Sequence, residues 1–399
     1  MPPYNLLTRD WYSDLLCQAH AIKSRTLVKI NSKPAEPLHP HIVDPLDSEL
    51  QNETTHTNFK EIVQAEKEKY SHQEFLSRIN EKHERRFWVR KIEFGRPDEA
   101  VKMRNPEFFF SKVIRIFNEK VIGIDSSLIR FWYIQGNLVL MSAAVTIHNY
   151  HKYNIAVHSL AQFFLFNANL AKPCPQITIV QPTHVGRKIS ELMYKFEMQT
   201  LLKYSKPGTI AFKCGSLRSS THIPTELDVA VRESVIPVGV VKNPYSRLIV
   251  SAYQLDFGND FMSDAAAFQE ILEPNERSKW FLVARPGSIG QLLITYYKPP
   301  FFFGGYDPPV CRIEILPNHF MYANQILETY AVGVLIASDY TSPTCAWINN
   351  SELVARELLP NPEEVSAFLE NEKTSSLLIP TFNSLRGIEN LSIINGGGM

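Results

Sequence analysis

The sequence predicts a mainly β protein with peripheral helices, whose core is an antiparallel β-sandwich of the jelly-roll type. Runs rich in β-branched and aromatic residues recur through the middle of the chain, as expected for strands. Turn residues such as Gly95, Pro97 and Gly136 separate these runs. Little helix intervenes between them, which favours a sandwich over a doubly wound α/β domain.

Residues 1–86 are predicted to form an N-terminal arm, a proline-rich linker and a helix. The segment 32–47 holds four prolines among polar residues, and proline fixes φ and disfavours helix at the residue before it. Residues 58–86 are rich in good helix formers and carry an imperfect apolar stripe. This segment therefore predicts a helix that packs with one face.

Residues 87–317 are predicted to form the β core. Residues 176–181 alternate polar and apolar side chains between two prolines, which is typical of a short, half-buried strand. The apolar run 161–170 fits a buried strand or a buried helix equally well. Helices are predicted over 188–204 and 265–272. The other predicted strands are 87–94, 108–117, 127–134, 137–148, 153–158, 209–214, 230–241, 246–254, 280–284, 290–297 and 310–316.

Residues 318–399 are predicted to form a C-terminal extension that ends in a flexible tail. The extension contains an apolar run at 330–338 and a helix around either 351–359 or 362–371. Three glycines precede Met399, and a terminus of this composition is expected to be mobile.

The charge balance disfavours nucleic acid as a specific partner. The chain has 41 Lys plus Arg and 41 Asp plus Glu, so no excess positive charge drives phosphate binding by counterion release. A net charge of zero favours self-association instead. The first thirty residues hold no apolar run of signal-peptide length, and no stretch reaches the roughly 18 apolar residues of a membrane helix. We therefore expect neither secretion through a cleaved signal nor membrane insertion.

The sequence contains no recognisable constellation of catalytic residues. His148, His151 and His158 lie close together, but they lack an HExxH-like setting, and polar strand ends explain them better than metal ligation does. Asp125 and Ser126 are interpreted as capping or turn residues. We therefore predict no catalytic residue, no cofactor and no metal site.

Two glycine-containing segments also lack the spacing that chemistry requires. Residues 286–290 contain a Gly-Ser pair without the GxSxG spacing of a nucleophile elbow. Gly304 and Gly305 open no predicted helix and are not followed by GK[ST], which excludes a phosphate-binding loop.

The cysteines do not form a metal-binding or redox motif. No CxxC pair occurs, which disfavours a zinc ribbon or a thioredoxin-like site. Isolated buried thiols are the favoured interpretation, because free cysteine is among the most buried residue types. The five cysteines are Cys17, Cys174, Cys214, Cys311 and Cys345.

Several short landmarks follow one another in a characteristic order over about the first three quarters of the chain. They are Met1-Pro2-Pro3-Tyr4, Ala21-Ile22-Lys23, Asp44-Pro45-Leu46-Asp47, Phe59-Lys60-Glu61-Ile62, Leu160-Ala161-Gln162, Ile179-Val180-Gln181-Pro182, Val185-Gly186 and Tyr297-Lys298-Pro299. In this order they resemble the polyhedrin and granulin family of viral occlusion-body matrix proteins, and a divergent, nudivirus-like member fits best. The chain departs from that family in its greater length and in the region after Pro317.

The resemblance implies a structural protein without enzymatic activity. Its jelly-roll subunit would form a homotrimer, pack into a protective crystalline lattice around enveloped virions in occlusion bodies of the host nucleus, and dissolve in alkali. The 16 Tyr and 5 Cys are consistent with this, because alkali ionises both groups and drives the net charge negative. On this hypothesis Cys174 or Cys214 forms an intermolecular disulfide that locks the lattice.

Two alternatives stay open. A β-sandwich capsid protein would assemble into closed shells instead of crystals. An enzyme such as a hydrolase is disfavoured by the absent motifs, but a pocket that gathers His148, His151 or Asp125 with a perturbed titration would favour it again.

Overall fold

The computed structural model describes positions 88–108, 110, 113, 120–133, 136–149, 154–166, 177–180, 185–218, 234–257, 261–284, 291–300, 307–337 and 344–359. The predicted arm, linker and helix of residues 1–86 lie outside these positions, as do the segment 362–371 and the glycine-rich tail. The division of the chain after residues 86 and 317 stays a prediction. None of the helices at the described positions is long and apolar enough to cross a membrane.

One mixed β-sheet organises the described part of the chain. Its strands run in the order β1-β10-β11-β12-β8-β7-β3-β4-β5-β6, and the short strands β2 and β9 pair with each other beside β11. The strands are β1 (Trp88–Lys91), β2 (Val101–Lys102), β3 (Val121–Tyr133), β4 (Gly136–Asn149), β5 (Asn154–Phe166), β6 (Ile177–Val180), β7 (Ile210–Cys214), β8 (Ile236–Val241), β9 (Glu276–Arg277), β10 (Phe281–Ala284), β11 (Gln291–Lys298) and β12 (Cys311–Ile315).

Helices cover both faces of this sheet. They confirm the helices predicted over 188–204, 265–272 and 351–359, and they show that the apolar run around 330–338 is helical. They are α1 (Val185–Tyr204), α2 (Leu248–Ala252), α3 (Gln254–Phe257), α4 (Asp264–Ile271), α5 (Ala323–Ile336) and α6 (Ala346–Glu357), with a 3₁₀ turn at Pro317–Tyr322.

The predicted antiparallel sandwich of the jelly-roll type is wrong, because the strands form one mixed sheet with helices on its faces. Three neighbouring pairs run parallel: β3 with β7, β7 with β8, and β5 with β6. Parallel neighbours need a crossover connection, and the 20-residue helix α1 lies between β5 and β7. Alternation of polar and apolar residues assigns the faces of a strand but not its direction, so the sequence pattern did not reveal the parallel pairs.

The strand predicted over 246–254 is also wrong, because most of this segment is helical. The carboxylate of Asp264 accepts hydrogen bonds from the backbone N–H groups of Leu248, Ile249 and Val250, each at 2.9 Å. The first N–H groups of a helix have no partner within the helix, and this carboxylate supplies one. It lies 14 to 16 residues further along the chain, so the local pattern does not contain it.

The two faces of the sheet bury different sets of side chains. On one face, Ile122 and Ile124 of β3 pack with Leu201 of α1. On the other face, α5 and α6 contribute to the largest buried cluster of the described residues. Helix α6 approaches β3 closely at Gly123, where a Cβ atom would lie 1.9 Å from the carbonyl oxygen of Trp347. Glycine is therefore required at this crossing of helix and strand.

Candidate functional site

The pairing between strands β3 and β7 ends in the middle of the sheet. They pair over four positions, of which Ile124 with Lys213 is the last, and β3 then continues beside β4 as far as Tyr133. Strand β7 ends at Cys214 and β8 ends at Val241. In sheets with parallel strands, ligands bind outside the carboxyl ends of strands at a point where neighbours separate. The carboxyl ends of β7 and β8 beside β3 are therefore the candidate site.

Ionisable side chains from both faces of the sheet meet at this position. They come from the interior of β3, from the ends of β7 and β8, and from one helix on each face, and they interact electrostatically with one another. We call them the carboxyl-end cluster: Asp125 of β3, Glu197 of α1, Lys213 and Cys214 of β7, Lys242 directly after β8, and Glu352 of α6.

On the α1 face, Lys213 and Glu197 form a buried ion pair. The Lys213 Nζ lies 2.7 Å from Glu197 Oε2, and the two side chains are 5% and 7% exposed. The other carboxylate oxygen of Glu197 accepts a 2.5 Å hydrogen bond from the hydroxyl of Ser126. Burial acts to lower the pKa of Lys213, but the pairing with Glu197 outweighs it and raises that pKa. The lysine is therefore a permanent cation at neutral pH.

On the α6 face, Asp125 lies near a second ion pair. Lys242 pairs with Glu352, and these two side chains are each 23% exposed. Burial raises the pKa of Asp125 to about 7, against the opposing charge of Lys242. Burial and the neighbouring Asp125 carboxylate raise the pKa of the Cys214 thiol well above its usual value. Asp125 is thus a carboxyl group that changes protonation near neutral pH.

A tight turn fixes the carboxyl end of β7. Gly215 adopts a φ of 85°, in the left-handed region that favours glycine. The Ser216 hydroxyl and the Leu217 N–H then donate hydrogen bonds to Glu314 Oε2 of β12, at 2.7 and 2.8 Å. Arg312 pairs with the other oxygen of Glu314 at 2.8 Å. These contacts hold Lys213 and Cys214 in a defined position.

The cluster is poor in ligands for a divalent cation. No group of three or more His, Cys, Asp or Glu side chains is arranged to hold a metal ion within the described ranges. Both oxygens of Glu197 are engaged by Lys213 and Ser126. Glu352 is engaged by Lys242 and Arg356. Two of the three carboxylates of the cluster, Glu197 and Glu352, are therefore paired with cations of the chain itself.

The structure describes two of the three histidines singled out in the sequence, and these two make contacts with different aromatic side chains. His148 lies edge-on to Trp347 with ring centroids 4.7 Å apart, and burial lowers its pKa to about 3, so that it is neutral at pH 7. His158 stacks on Tyr204, with ring centroids 4.3 Å apart. His151 lies outside the described positions, as do the glycine-containing segments 286–290 and 304–305.

One of the two cysteines predicted to form an intermolecular disulfide lies in the carboxyl-end cluster. Cys214 is a half-buried free thiol of the carboxyl-end cluster, and Cys174 lies outside the described positions. Asp125 and Ser126, which the sequence pattern assigned to capping or a turn, lie within strand β3 instead. The signal that was overlooked is a charged side chain directly after buried apolar strand residues, at Asp125 after Ile124 and at Lys213 after Phe212.

Comparison with known proteins identifies a family. The family model of the NurA domain matches residues 119–344, which is more than half of the chain. No curated protein matches the chain. Among solved structures, the NurA nuclease from Sulfolobus solfataricus is 10% identical with a TM-score of 0.41, and the match covers 79% of this chain and 95% of that one.

Two further solved structures match with lower TM-scores. Endonuclease V from Bacillus subtilis is 11% identical with a TM-score of 0.31, and the match covers 65% of this chain and 97% of that one. Argonaute from Marinitoga piezophila, solved with a guide RNA, is 14% identical with a TM-score of 0.29, and the match covers 62% of this chain and 31% of that one.

The family match overturns the resemblance to polyhedrins and granulins. With it fall the predicted occlusion-body matrix function, the capsid alternative, the absence of enzymatic activity and the exclusion of nucleic acid as a partner. The landmarks behind that resemblance are only two to four residues long, and matches of that length arise by chance between unrelated chains. The match to the NurA domain spans every strand from β3 to β12, and the chain belongs to the NurA domain family.

Proposed function

We propose that this chain is a nuclease that hydrolyses phosphodiester bonds of DNA at the carboxyl-end cluster. The match to the NurA domain over residues 119–344 carries this proposal, because that segment contains every member of the cluster except Glu352. The NurA protein solved from Sulfolobus solfataricus is a nuclease. The cluster also lies at the carboxyl ends of parallel strands, where ligands of such sheets bind.

Asp125 is the candidate general base of the reaction. A base works best when its pKa lies near the working pH, and burial raises the pKa of Asp125 to about 7. Its carboxylate would take a proton from a water molecule as the water oxygen forms a bond to phosphorus. The bond from phosphorus to the leaving oxygen breaks, and that oxygen takes a proton from solvent.

Lys213 and Lys242 supply positive charge where the reaction gathers negative charge on phosphate oxygens. Preorganised cations in a site with little water stabilise such charge more strongly than they would in bulk water. Lys213 is buried, whereas Lys242 is partly exposed and marks the side from which a phosphate reaches the cluster. Ser127 of β3 and Gly215 after β7, which lie next in the chain to members of the cluster or close to them, are also partly exposed.

Many nucleases hold two divalent cations between carboxylates, about 4 Å apart. The carboxyl-end cluster does not fit that arrangement, because Glu197 and Glu352 are paired with Lys213 and Lys242. No step of the proposed reaction is therefore assigned to a metal ion.

Cleavage of end-labelled DNA by the full chain tests this function. We expect the wild-type chain to cleave single-stranded or double-stranded DNA, and Asp125→Asn to lower the rate by about 10²- to 10⁴-fold, since it removes the general base. Asp256→Asn, which removes the same charge from α3 outside the cluster, is the matched control and should retain the wild-type rate. A wild-type rate for Asp125→Asn, or intact DNA of both kinds after incubation with the wild-type chain, would contradict the proposal.

A further inference from the structure

We propose that the Lys213 ammonium takes the place of a divalent cation beside Glu197, so that the carboxyl-end cluster carries its own positive charge and binds neither Mg²⁺ nor Mn²⁺. This inference rests on the proposed nuclease function, because cleavage of phosphodiester bonds is the chemistry for which such a cation is commonly recruited.

The contacts of Lys213 bury most of its ammonium group. Nζ lies 2.7 Å from Glu197 Oε2 and donates a 2.7 Å hydrogen bond to the backbone carbonyl of Cys214. It also lies 5.0 Å from the centre of the Tyr194 ring, within the range of a cation–π contact. The whole residue is only 4% exposed. The ammonium group therefore occupies the space beside the carboxylate that a bound cation would need.

Electrostatics make the ammonium and a metal ion mutually exclusive at Glu197. A charge as buried as that of Lys213 is stable only when it is paired. A divalent cation at the same carboxylate would lie within a few ångströms of the ammonium group, and the repulsion of like charges at low effective dielectric is strong. Glu197 therefore has one counter-charge, and the chain supplies it.

The other members of the cluster do not compensate for the loss of Glu197 as a ligand. Glu352 is paired with Lys242 and Arg356. The thiolate, and not the thiol, is the metal ligand, and burial keeps Cys214 in the thiol form by raising its pKa. Asp125 is the remaining carboxylate, and one of its oxygens accepts a 2.8 Å hydrogen bond from the Ser126 N–H.

Titration of the full chain with Mn²⁺, followed by the EPR signal of the free ion, tests the inference without any measurement of activity. If the cluster binds no Mn²⁺, Glu197→Gln removes no Mn²⁺ site, and we expect it to bind the same amount of Mn²⁺ as the wild-type chain. Glu191→Gln is the matched control, because Glu191 lies on the same helix in a more exposed pair with Lys188. One equivalent of Mn²⁺ bound by the wild-type chain and by Glu191→Gln, but lost in Glu197→Gln, would overturn the inference.

Removal of the ammonium group should create the missing metal site. We expect Lys213→Ala to bind Mn²⁺ at least about tenfold more tightly than the wild-type chain, and Glu197→Gln in that background to abolish the gain. Lys213→Arg keeps the charge and should show no gain. A folded Lys213→Ala chain that binds Mn²⁺ no better than wild type would contradict the role of Lys213. If Lys213→Ala does not fold, the comparison of wild type with Glu197→Gln decides alone.

Cleavage of DNA in EDTA separates this inference from the proposed function. Cleavage by the wild-type chain in EDTA supports both. Cleavage that requires Mn²⁺ and is accompanied by binding of Mn²⁺ through Glu197 overturns the inference and leaves the nuclease function intact. If no DNA is cleaved under any condition, the proposed function fails, while the Mn²⁺ titration still decides the role of Lys213.

Discussion

Asp125 is a carboxyl group with 7% of its surface exposed, and it lies in strand β3 between Ile124 and Ser126. Burial raises its pKa to about 7, whereas an unfolded chain has an aspartate pKa of about 3.9. Between these two values the native state binds more protons than the unfolded state. The contribution of Asp125 to the free energy of unfolding is therefore complete below about pH 4 and is lost as the pH rises towards 7.

Asp125→Asn should stabilise the protein at pH 8 and leave its stability near pH 4 unchanged. Asparagine keeps the acceptor for the Ser126 N–H but carries no charge to bury, and the expected gain at pH 8 is on the order of a few kcal/mol. Urea unfolding at the two pH values measures it. Equal changes in the free energy of unfolding at both pH values would show that Asp125 is not held protonated by the fold.

Lys213→Met should destabilise the protein strongly, because it leaves Glu197 buried without its counter-charge. Loss of one partner of a buried ion pair costs about 3–5 kcal/mol. Lys188→Met, in the more exposed pair with Glu191 on the same helix, should cost less than about 1 kcal/mol. Urea unfolding of both variants at pH 7 makes the comparison, and similar small losses would show that Lys213 is not the required partner of Glu197.

The charged residues of the site were visible in the sequence, but their association was not. Asp125 directly follows the apolar start of β3, and Lys213 interrupts the apolar strand β7. Both are buried, which is unusual for a charged residue. Their neighbours Glu197 and Glu352 lie on two different helices, on opposite faces of the sheet. Which charges meet depends on the parallel pairing of β3, β7 and β8, and side-chain alternation does not encode it.

Helix α6 is the element that closes the site on one face of the sheet. It crosses β3 at Gly123 and carries Glu352. It begins two residues after the match to the NurA domain ends at residue 344. The pairing of Glu352 with Lys242 is therefore a contribution from outside the segment that identifies the family.

Gly123→Ala should destabilise the protein by about 1–3 kcal/mol or more, because the added Cβ would lie 1.9 Å from the carbonyl oxygen of Trp347. Gly186→Ala is the matched control, since Gly186 lies in helix α1 with nothing within 4 Å of an added Cβ. That substitution should be neutral or stabilise the protein by up to about 1 kcal/mol. Thermal unfolding of both variants tests the contact, and a neutral Gly123→Ala would show that α6 does not press against β3.

Glu352→Gln should tighten the binding of DNA several-fold, because it releases Lys242 from its ion pair and leaves that cation available to a phosphate. Glu357→Gln removes the same charge from the same helix outside the carboxyl-end cluster, and it should have a smaller effect. Fluorescence anisotropy of labelled DNA at low salt measures both. Equal effects of the two substitutions would show that the Lys242 pair does not control access of phosphate.

Elements with a strong local signal were predictable from the sequence. Helices α1 and α4 and strand β6 lie where the periodicity of apolar residues and the flanking prolines place them. The segment 246–254 was not predictable, because the carboxylate of Asp264 that caps helix α2 lies in another element.

At the scale of the whole molecule, the equal numbers of acidic and basic residues gave no indication that lysines lie together at the candidate site. Net charge is a sum over 399 residues, whereas Lys213 and Lys242 lie together at the carboxyl ends of the parallel strands β7 and β8. Local fields in a cleft depend on the charges that line it. The sum therefore misdirected the prediction away from nucleic acid, and the mixed sheet had to be known before the two lysines could be placed together.

The most direct test of the central claim is the single-turnover rate of DNA cleavage by the full chain in EDTA between pH 5 and 9, with Asp125→Asn in parallel. If Asp125 is the general base and the chain supplies the cations, the wild-type rate rises about tenfold per pH unit below pH 7 and levels off above it. Asp125→Asn then shows no such rise and cleaves at least about 100-fold more slowly. A rate that does not change with pH, or equal rates for the two proteins, would contradict the claim.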